Sequence, residues 1–368
     1  MTKQTPELVL INLVLFTVIF FLLRKSLKPG KRVSKANITF SKVCIFLFCI
    51  FAFYDTDYFH YREIMDLSFD DYAHLEDVYK YIIDFVDRNY TLFRTIVWGG
   101  ALCIFIQTIK RLKIEQASAL ALFSFIIITK FAYARVSLGF AVLMFGIAYL
   151  TFNEKLSIKS LVFGITLTAC SLFFHRSMIF GIGIALLAII AANVNRKIAL
   201  LSFFIIIIFA ATIKDYSISI FMTEMSEEED MVGRLQYYMD ADSTVNNGIG
   251  PTIKKYLERL PYYMTSILFI MSIIKNKYQQ LPTHIKVFGL MVIYIILISS
   301  VFLISDSMNT YVLYYRFLYF AIIPTVIVLA YFYSNNILPK FTKTTINTGI
   351  VSTVYLLVYA LYCSTFNT

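Results

Sequence analysis

The sequence predicts an all-helical polytopic membrane protein, and three observations predict it. Of its 368 residues, 59% are hydrophobic and only 15% charged, with a mean hydropathy of +0.71, which lies outside the composition of soluble globular domains. Apolar runs recur along the whole chain, separated by short charged or Pro/Gly-containing stretches. Basic and acidic residues also segregate by loop, as described below. A hydrocarbon core about 30 Å thick takes roughly 20 apolar residues per helix. About twelve helices, within a range of ten to thirteen, therefore consume most of the chain and leave a single transmembrane domain over 1–368.

The same composition excludes other classes. There is no Cys-x-x-Cys, His-Glu-x-x-His, phosphate-binding glycine loop or Ser-centred nucleophile motif, so no cofactor and no metal site is expected. Cys44, Cys49, Cys103, Cys170 and Cys363 all fall in apolar runs and read as small hydrophobes of the core. A net charge of +10 reports cytoplasmic loops here and not a nucleic-acid partner.

Apolar runs place helices at about 7–24, 40–54, 92–109, 117–132, 136–152, 157–174, 177–193, 198–213, 260–274, 285–304, 315–333 and 346–364. The first run lacks a small-residue cleavage site and is followed by Arg24, Lys25, Lys28, Lys31, Arg32 and Lys35, the pattern of an uncleaved anchor with an outside N-terminus. Threading twelve spans from there puts 24–42, 110–116, 153–159, 194–197, 275–286 and 334–345 in the cytoplasm and both termini outside. Those six segments hold 19 of the 33 basic residues and only two of the 23 acids, Glu115 and Glu154. The asymmetry follows the positive-inside rule, which a wrong span count would disrupt midway.

Two outer segments are longer than a simple turn. Within the first, 55–91, the stretch 71–90 spaces Leu75, Val78, Ile82, Phe85 and Val86 helically, with acids and Lys80 opposite, and so predicts an interfacial helix. The second, 214–259, is polar, with EMSEEED at 224–230 and NNGIGP at 246–251, and is expected as a loop over the outer face.

Ionisable groups in or beside spans are costly and mark candidate functional positions. The predicted helix centres are nearly free of charge, whereas the outer ends carry Asp55, Asp57, Lys130, Arg135, His175, Arg176 and Arg316. Positive-inside logic disfavours arginines on that face, so the short outer turns holding Arg135, Arg176 and Arg316 need compensation: an anionic ligand, or pairing with Asp55, Asp57 or Asp306. Three guanidinium forks suit a diphosphate, docking it and stabilising charge as it leaves. His175 alone among the histidines occupies a turn between two spans beside an arginine, a position for a proton acceptor or for a helix-end hydrogen bond. Asp55 and Asp57 share one face of an extended segment and can bind a cation or sugar hydroxyls, or exchange protons, and Tyr58 and Tyr61 can stack on sugar rings or belong to the interfacial aromatic belt.

In order along the chain, DTDYFHY after the second span, ARVSLGFAVLMFGIAY opening at the Arg135 turn, FFHRSMIF with His175-x-Ser177, and YYRFLYF at 314–320 resemble the EpsG/Wzy-type polysaccharide polymerase family. The resemblance implies a GT-C-like membrane glycosyltransferase, inverting and metal-independent, at the outer face of the bacterial inner membrane. Its implied donor and acceptor are oligosaccharide repeats on undecaprenyl diphosphate, moving within membrane lipid, and a chain-length regulator protein is the implied partner class. Arg135, His175 and Arg316 then stand at the family's outward cavity, with Asp55 and Asp57 in its first outer loop. Arg176 matches no family position.

The expected chemistry is transfer of glycan from the lipid diphosphate to a hydroxyl of a second repeat, with His175 as base and Arg135, Arg176 and Arg316 on the diphosphate. A lipid-linked oligosaccharide flippase or other transporter is the alternative from a different class, but coupled transporters place acids or broken helices near the midplane, where this sequence has none. A membrane O-acyltransferase also fits a histidine and arginines, although it calls for a polar path through the bilayer.

Overall fold

A computed structural model describes residues 6–28, 32–51, 65, 76–128, 134–152, 157–175, 177–194, 199–208, 210–212, 249–303 and 317–366. Among the described residues every regular element is helical. In chain order these are α1 (Pro6–Leu23), α2 (Lys35–Phe51), α3 (Asp77–Phe85), α4 (Tyr90–Arg111), α5 (Gln116–Leu122), α6 (Ala134–Thr151), α7 (Ile158–Phe174), α8 (Met178–Ala192), α9 (Ala199–Thr212), α10 (Ile249–Ile274), α11 (Thr283–Leu303), α12 (Ile322–Ser334) and α13 (Pro339–Phe366). A single π turn, Phe123–Ile127, continues α5.

Among the described residues, four segments are long and apolar enough to cross a membrane: Glu7–Leu27, Tyr90–Arg111, Thr283–Val301 and Phe317–Ser334. Shorter apolar helices fill the bundle between them, and a helix overlaps each apolar run read from the sequence. Among the described residues the fold is all-helical, as expected of a polytopic membrane protein.

Contacts between helix ends fix an up-and-down weave. At the end where α4 begins, the upper end, the Asn12 amide of α1 donates to the Phe51 carbonyl of α2 at 2.8 Å. At the lower end, Ser118 of α5 donates to the Ser26 carbonyl after α1 at 3.4 Å, and Arg111 of α4 reaches the Ser160 hydroxyl of α7 at 3.3 Å. The Phe152 ring beyond α6 lies 5.1 Å from His284 of α11. Lower-end cations lie over rings, with Arg111 4.4 Å above Tyr149 and Lys275 4.9 Å above Phe341, so each charge meets a π face.

Glycine lets α6 and α7 cross backbone to backbone. A Cβ on Gly146 of α6 would stand 2.9 Å from the Thr168 backbone nitrogen and 3.0 Å from the Gly164 carbonyl oxygen of α7. Each helix thus offers a bare backbone to the other, as apposed small residues do wherever membrane helices approach closely. This contact locks the register of α6 against α7.

Three boundaries differ from the sequence reading. Helix α10 begins at Ile249, so the end of the expected 214–259 loop is its first turns. Pro251 sits in the opening turn, where a missing N–H costs nothing, and Lys254, Lys255, Glu258 and Arg259 hid this stretch from a hydropathy reading. Helix α13 likewise extends back to Pro339 through a polar first turn. The helix expected at the membrane interface spans Asp77–Phe85 and buries Tyr79 and Ile83, with Val86 just beyond it. Phe85, expected on its inner face, is 83% exposed.

Candidate active site

Helix α7 ends at the upper end on His175, whose extended backbone (φ −169°, ψ 128°) breaks the helix, and α8 starts three residues later. The Met178 N–H donates to the His175 carbonyl at 3.0 Å, closing the turn. The ring is held too: the Ser177 N–H donates to Nδ1 at 3.1 Å, and the Ser177 hydroxyl lies 2.7 Å from the same nitrogen. A backbone N–H can only donate, so Nδ1 is the unprotonated nitrogen, the serine hydroxyl is a second donor to it, and the neutral ring carries its proton on Nε2.

Nε2 faces Glu76, whose Oε1 is 3.8 Å away; the two side chains are 17% and 15% exposed. Glu76 is the N-cap residue of α3, yet its carboxylate makes no capping bond to its own helix and reaches across to the α7–α8 turn instead. Tyr79, Ile83 and Val86 dock α3 on the bundle, with Tyr79 against Phe93 of α4. A tight turn then joins the two helices: Asp87 and Arg88 take positive φ (49° and 58°), and the Asn89 side chain caps α4 by accepting from the Leu92 N–H at 3.0 Å. Asn89→Ala is expected to cost about 1 kcal/mol, read as a lower melting temperature in detergent.

Two further stretches meet this turn. Arg135 is in the first turn of α6, and one turn on, a Cβ at Gly139 would lie 3.2 Å from Phe174 and 3.4 Å from Met178, the residues flanking the His175 turn. Gly139 is therefore level with the residues flanking His175, and the backbone of Arg135 lies one helical turn beyond it at the same end of the bundle. Phe317 packs 5.4 Å from Phe180 in the first turn of α8, and Phe320 4.6 Å from Phe140 of α6. The start of the segment leading into α12 thus lies against the same two helices.

His175 is the one predicted site residue whose side chain is described. Of Arg135 the backbone alone is described; Asp55, Asp57, Tyr58, Tyr61, Arg176 and Arg316 lie outside the described residues. Among the described residues no cluster of three His, Cys, Asp or Glu side chains forms a metal site.

Two upper-end residues escaped the sequence reading. One is Glu76, read as part of a solvated helix face. The other is Arg94, 2% exposed in α4. Arg94 Nη2 donates to the Cys49 carbonyl at 2.6 Å and Nη1 to the Tyr90 hydroxyl at 3.1 Å, and its guanidinium lies 4.2 Å from the centre of the Trp98 ring. It fastens the end of α2 to α4. Arg94→Leu is expected to destabilise the protein by about 1.5–3 kcal/mol, the range for a hydrogen bond to a charged group, checked by thermal unfolding.

The sequence model of the EpsG family matches residues 37–368. The chain belongs to the EpsG family. The match runs from the first turn of α2 through α13, and takes in the His175 turn, Glu76 and the first turn of α6. No curated protein and no solved structure shows significant similarity to the chain, so family membership rests on the family match over residues 37–368. It makes this EpsG protein a membrane protein of the polysaccharide polymerase type.

Proposed function

We propose that this EpsG-family protein polymerises lipid-linked oligosaccharide repeats, transferring glycan from undecaprenyl diphosphate to a hydroxyl of a second lipid-linked repeat at the outer face of the cytoplasmic membrane. The observation that carries this is the meeting of three chain-distant stretches at one end of the bundle: the first turn of α6, the His175 turn, and the Phe317 segment. Arg135 and His175 belong to two of those stretches, and Arg316 directly precedes Phe317 in the sequence.

In this proposal Arg135, Arg176 and Arg316 bind the lipid diphosphate in bidentate fashion and stabilise the charge that grows on it as the glycosidic C–O bond breaks. The acceptor hydroxyl docks at His175, with Asp55, Asp57, Tyr58 and Tyr61 on the sugars. Departure of the diphosphate drives the transfer, so neither a nucleotide nor a metal is required, and inversion follows from a single displacement. The remaining apolar helices complete about twelve spans in a GT-C-like arrangement with the upper end outside, the orientation that the basic lower-end loops favour. A chain-length regulator would act as partner at that outer face.

The test is the purified protein in proteoliposomes with a lipid-linked repeat. Glycan ladders of increasing length support the proposal. Translocation without elongation identifies a flippase, acylated sugar an acyltransferase, and either result overturns it.

A further inference from the structure

Resting on that reading, the geometry points to Glu76, and not His175, as the group that takes the acceptor's proton. We infer that the attacking hydroxyl binds across His175 Nε2 and Glu76 Oε1, donating its proton to the carboxylate while Nε2–H holds its oxygen.

The first support is the state of the imidazole. The Ser177 backbone N–H and hydroxyl both point at Nδ1, at 3.1 and 2.7 Å, so that lone pair is occupied and the ring proton sits on Nε2. A ring with its outward nitrogen protonated and its inward nitrogen engaged is a donor towards the site. To serve as base it would have to take a proton at Nδ1, against a backbone N–H that cannot rotate away.

The second support is the spacing. At 3.8 Å, Nε2 and Oε1 are too far apart for a direct hydrogen bond, yet close enough to share one oxygen. A hydroxyl oxygen about 2.8 Å from each, an ordinary hydrogen-bond length, closes a triangle on that base. It would accept from Nε2–H, donate to Oε1, and keep its second lone pair for the anomeric carbon.

The third is the placement of the carboxylate. An acid at a helix N-cap ordinarily accepts from its own first-turn N–H groups, whereas the Glu76 carboxylate makes no such bond and faces the histidine, on a helix that buries Tyr79 and Ile83 against the bundle.

The step balances simply. The acceptor O–H bond breaks and its proton passes to the Glu76 carboxylate; the acceptor oxygen forms a bond to the anomeric carbon; the bond from that carbon to the diphosphate oxygen breaks, and the lipid diphosphate leaves with its electron pair. Glu76 then returns its proton to water. His175 changes no protonation state and is a positioning residue for the hydroxyl, while Ser177 positions His175.

The test compares Glu76→Gln and His175→Gln in the full-length protein in proteoliposomes, with folding checked by thermal unfolding. Glu76→Gln keeps the shape and removes the proton acceptor, so kcat for elongation should fall about 100-fold or more, the range of general-base catalysis, with the acceptor KM little changed. His175→Gln keeps an N–H donor at the ε position and should lose about tenfold or less, appearing mainly in KM. Sodium azide separates this inference from the polymerase reading. Azide needs no deprotonation, so Glu76→Gln supplied with it should release lipid diphosphate and form a glycosyl azide at a rate above its own elongation rate. If His175→Gln is inactive while Glu76→Gln stays within a few-fold of the native protein, His175 is the base and the inference is overturned. If Glu76→Gln is inactive and azide fails to restore donor cleavage, Glu76 supports the fold or donor binding, and the inference is likewise overturned. If the native protein elongates nothing, the polymerase reading itself fails.

Discussion

Replacing Gly146 with valine is expected to abolish recovery of a folded, active protein. Of the atoms that a Cβ would meet there, the Thr168 hydroxyl at 2.5 Å is a side-chain tip that can rotate, but the Thr168 nitrogen and the Gly164 carbonyl oxygen belong to the α7 backbone and cannot swing aside. The helices must separate or slide, and overpacking of this kind costs about 1–3 kcal/mol where flexible atoms take up the strain and more where they cannot. The loss reaches function because α6 and α7 together set the height of the Arg135 turn against His175. Gly183→Val is the control: at the same residue type, in α8, nothing lies within 4 Å of the added Cβ. Monodisperse yield and melting temperature in detergent should drop sharply for Gly146→Val and stay near the native values for Gly183→Val.

Arg135→Ala is expected to lower kcat/KM for elongation between tenfold and a thousandfold, corresponding to about 1.4–4 kcal/mol of transition-state stabilisation, with melting temperature unchanged. The guanidinium fork matches two phosphate oxygens at once and stays charged at any working pH, so Arg135→Lys should recover only part of the activity: an ammonium supplies the charge without the fork. The measurement is initial-rate elongation at several donor concentrations. A loss confined to KM would mean that Arg135 binds the donor equally in ground and transition states.

How much of this was legible in the sequence follows from what each feature depends on. Apolar runs are a local signal, so the helices of the bundle and the abrupt α7–α8 turn at FFHRSMIF could be read directly, and charge asymmetry suggested which ends share a face. The amphipathic helix was legible in kind but rotated in detail. Its inner face runs through Tyr79, Ile83 and Val86 because tertiary docking on Phe93 and its neighbours outweighs the hydrophobic count that favoured Phe85. Glu76 could not be singled out, since a carboxylate on the polar side of such a helix looks like any solvated acid until α3 is laid against α7. Arg94 was hidden for the opposite reason. A cation near the start of an apolar run reads as one that snorkels to the interface, and only the packed structure turns it inward onto Trp98 and the Cys49 carbonyl. The start of α10 went unread because a charged amphipathic turn beside a Gly/Asn-rich stretch has the composition of a loop.

That the upper end holds the lipid diphosphate is tested most directly by photo-crosslinking. A photoreactive amino acid is placed in turn at 135, 175, 176 and 316, and at Arg111, Ser160 and Tyr331 of the lower end, in protein reconstituted with a radiolabelled undecaprenyl-diphosphate oligosaccharide. Adducts concentrated at the first set, competed away by unlabelled lipid diphosphate, are the predicted result. Equal labelling at both ends, or labelling confined to the lower one, would contradict an outward catalytic site built around the His175 turn.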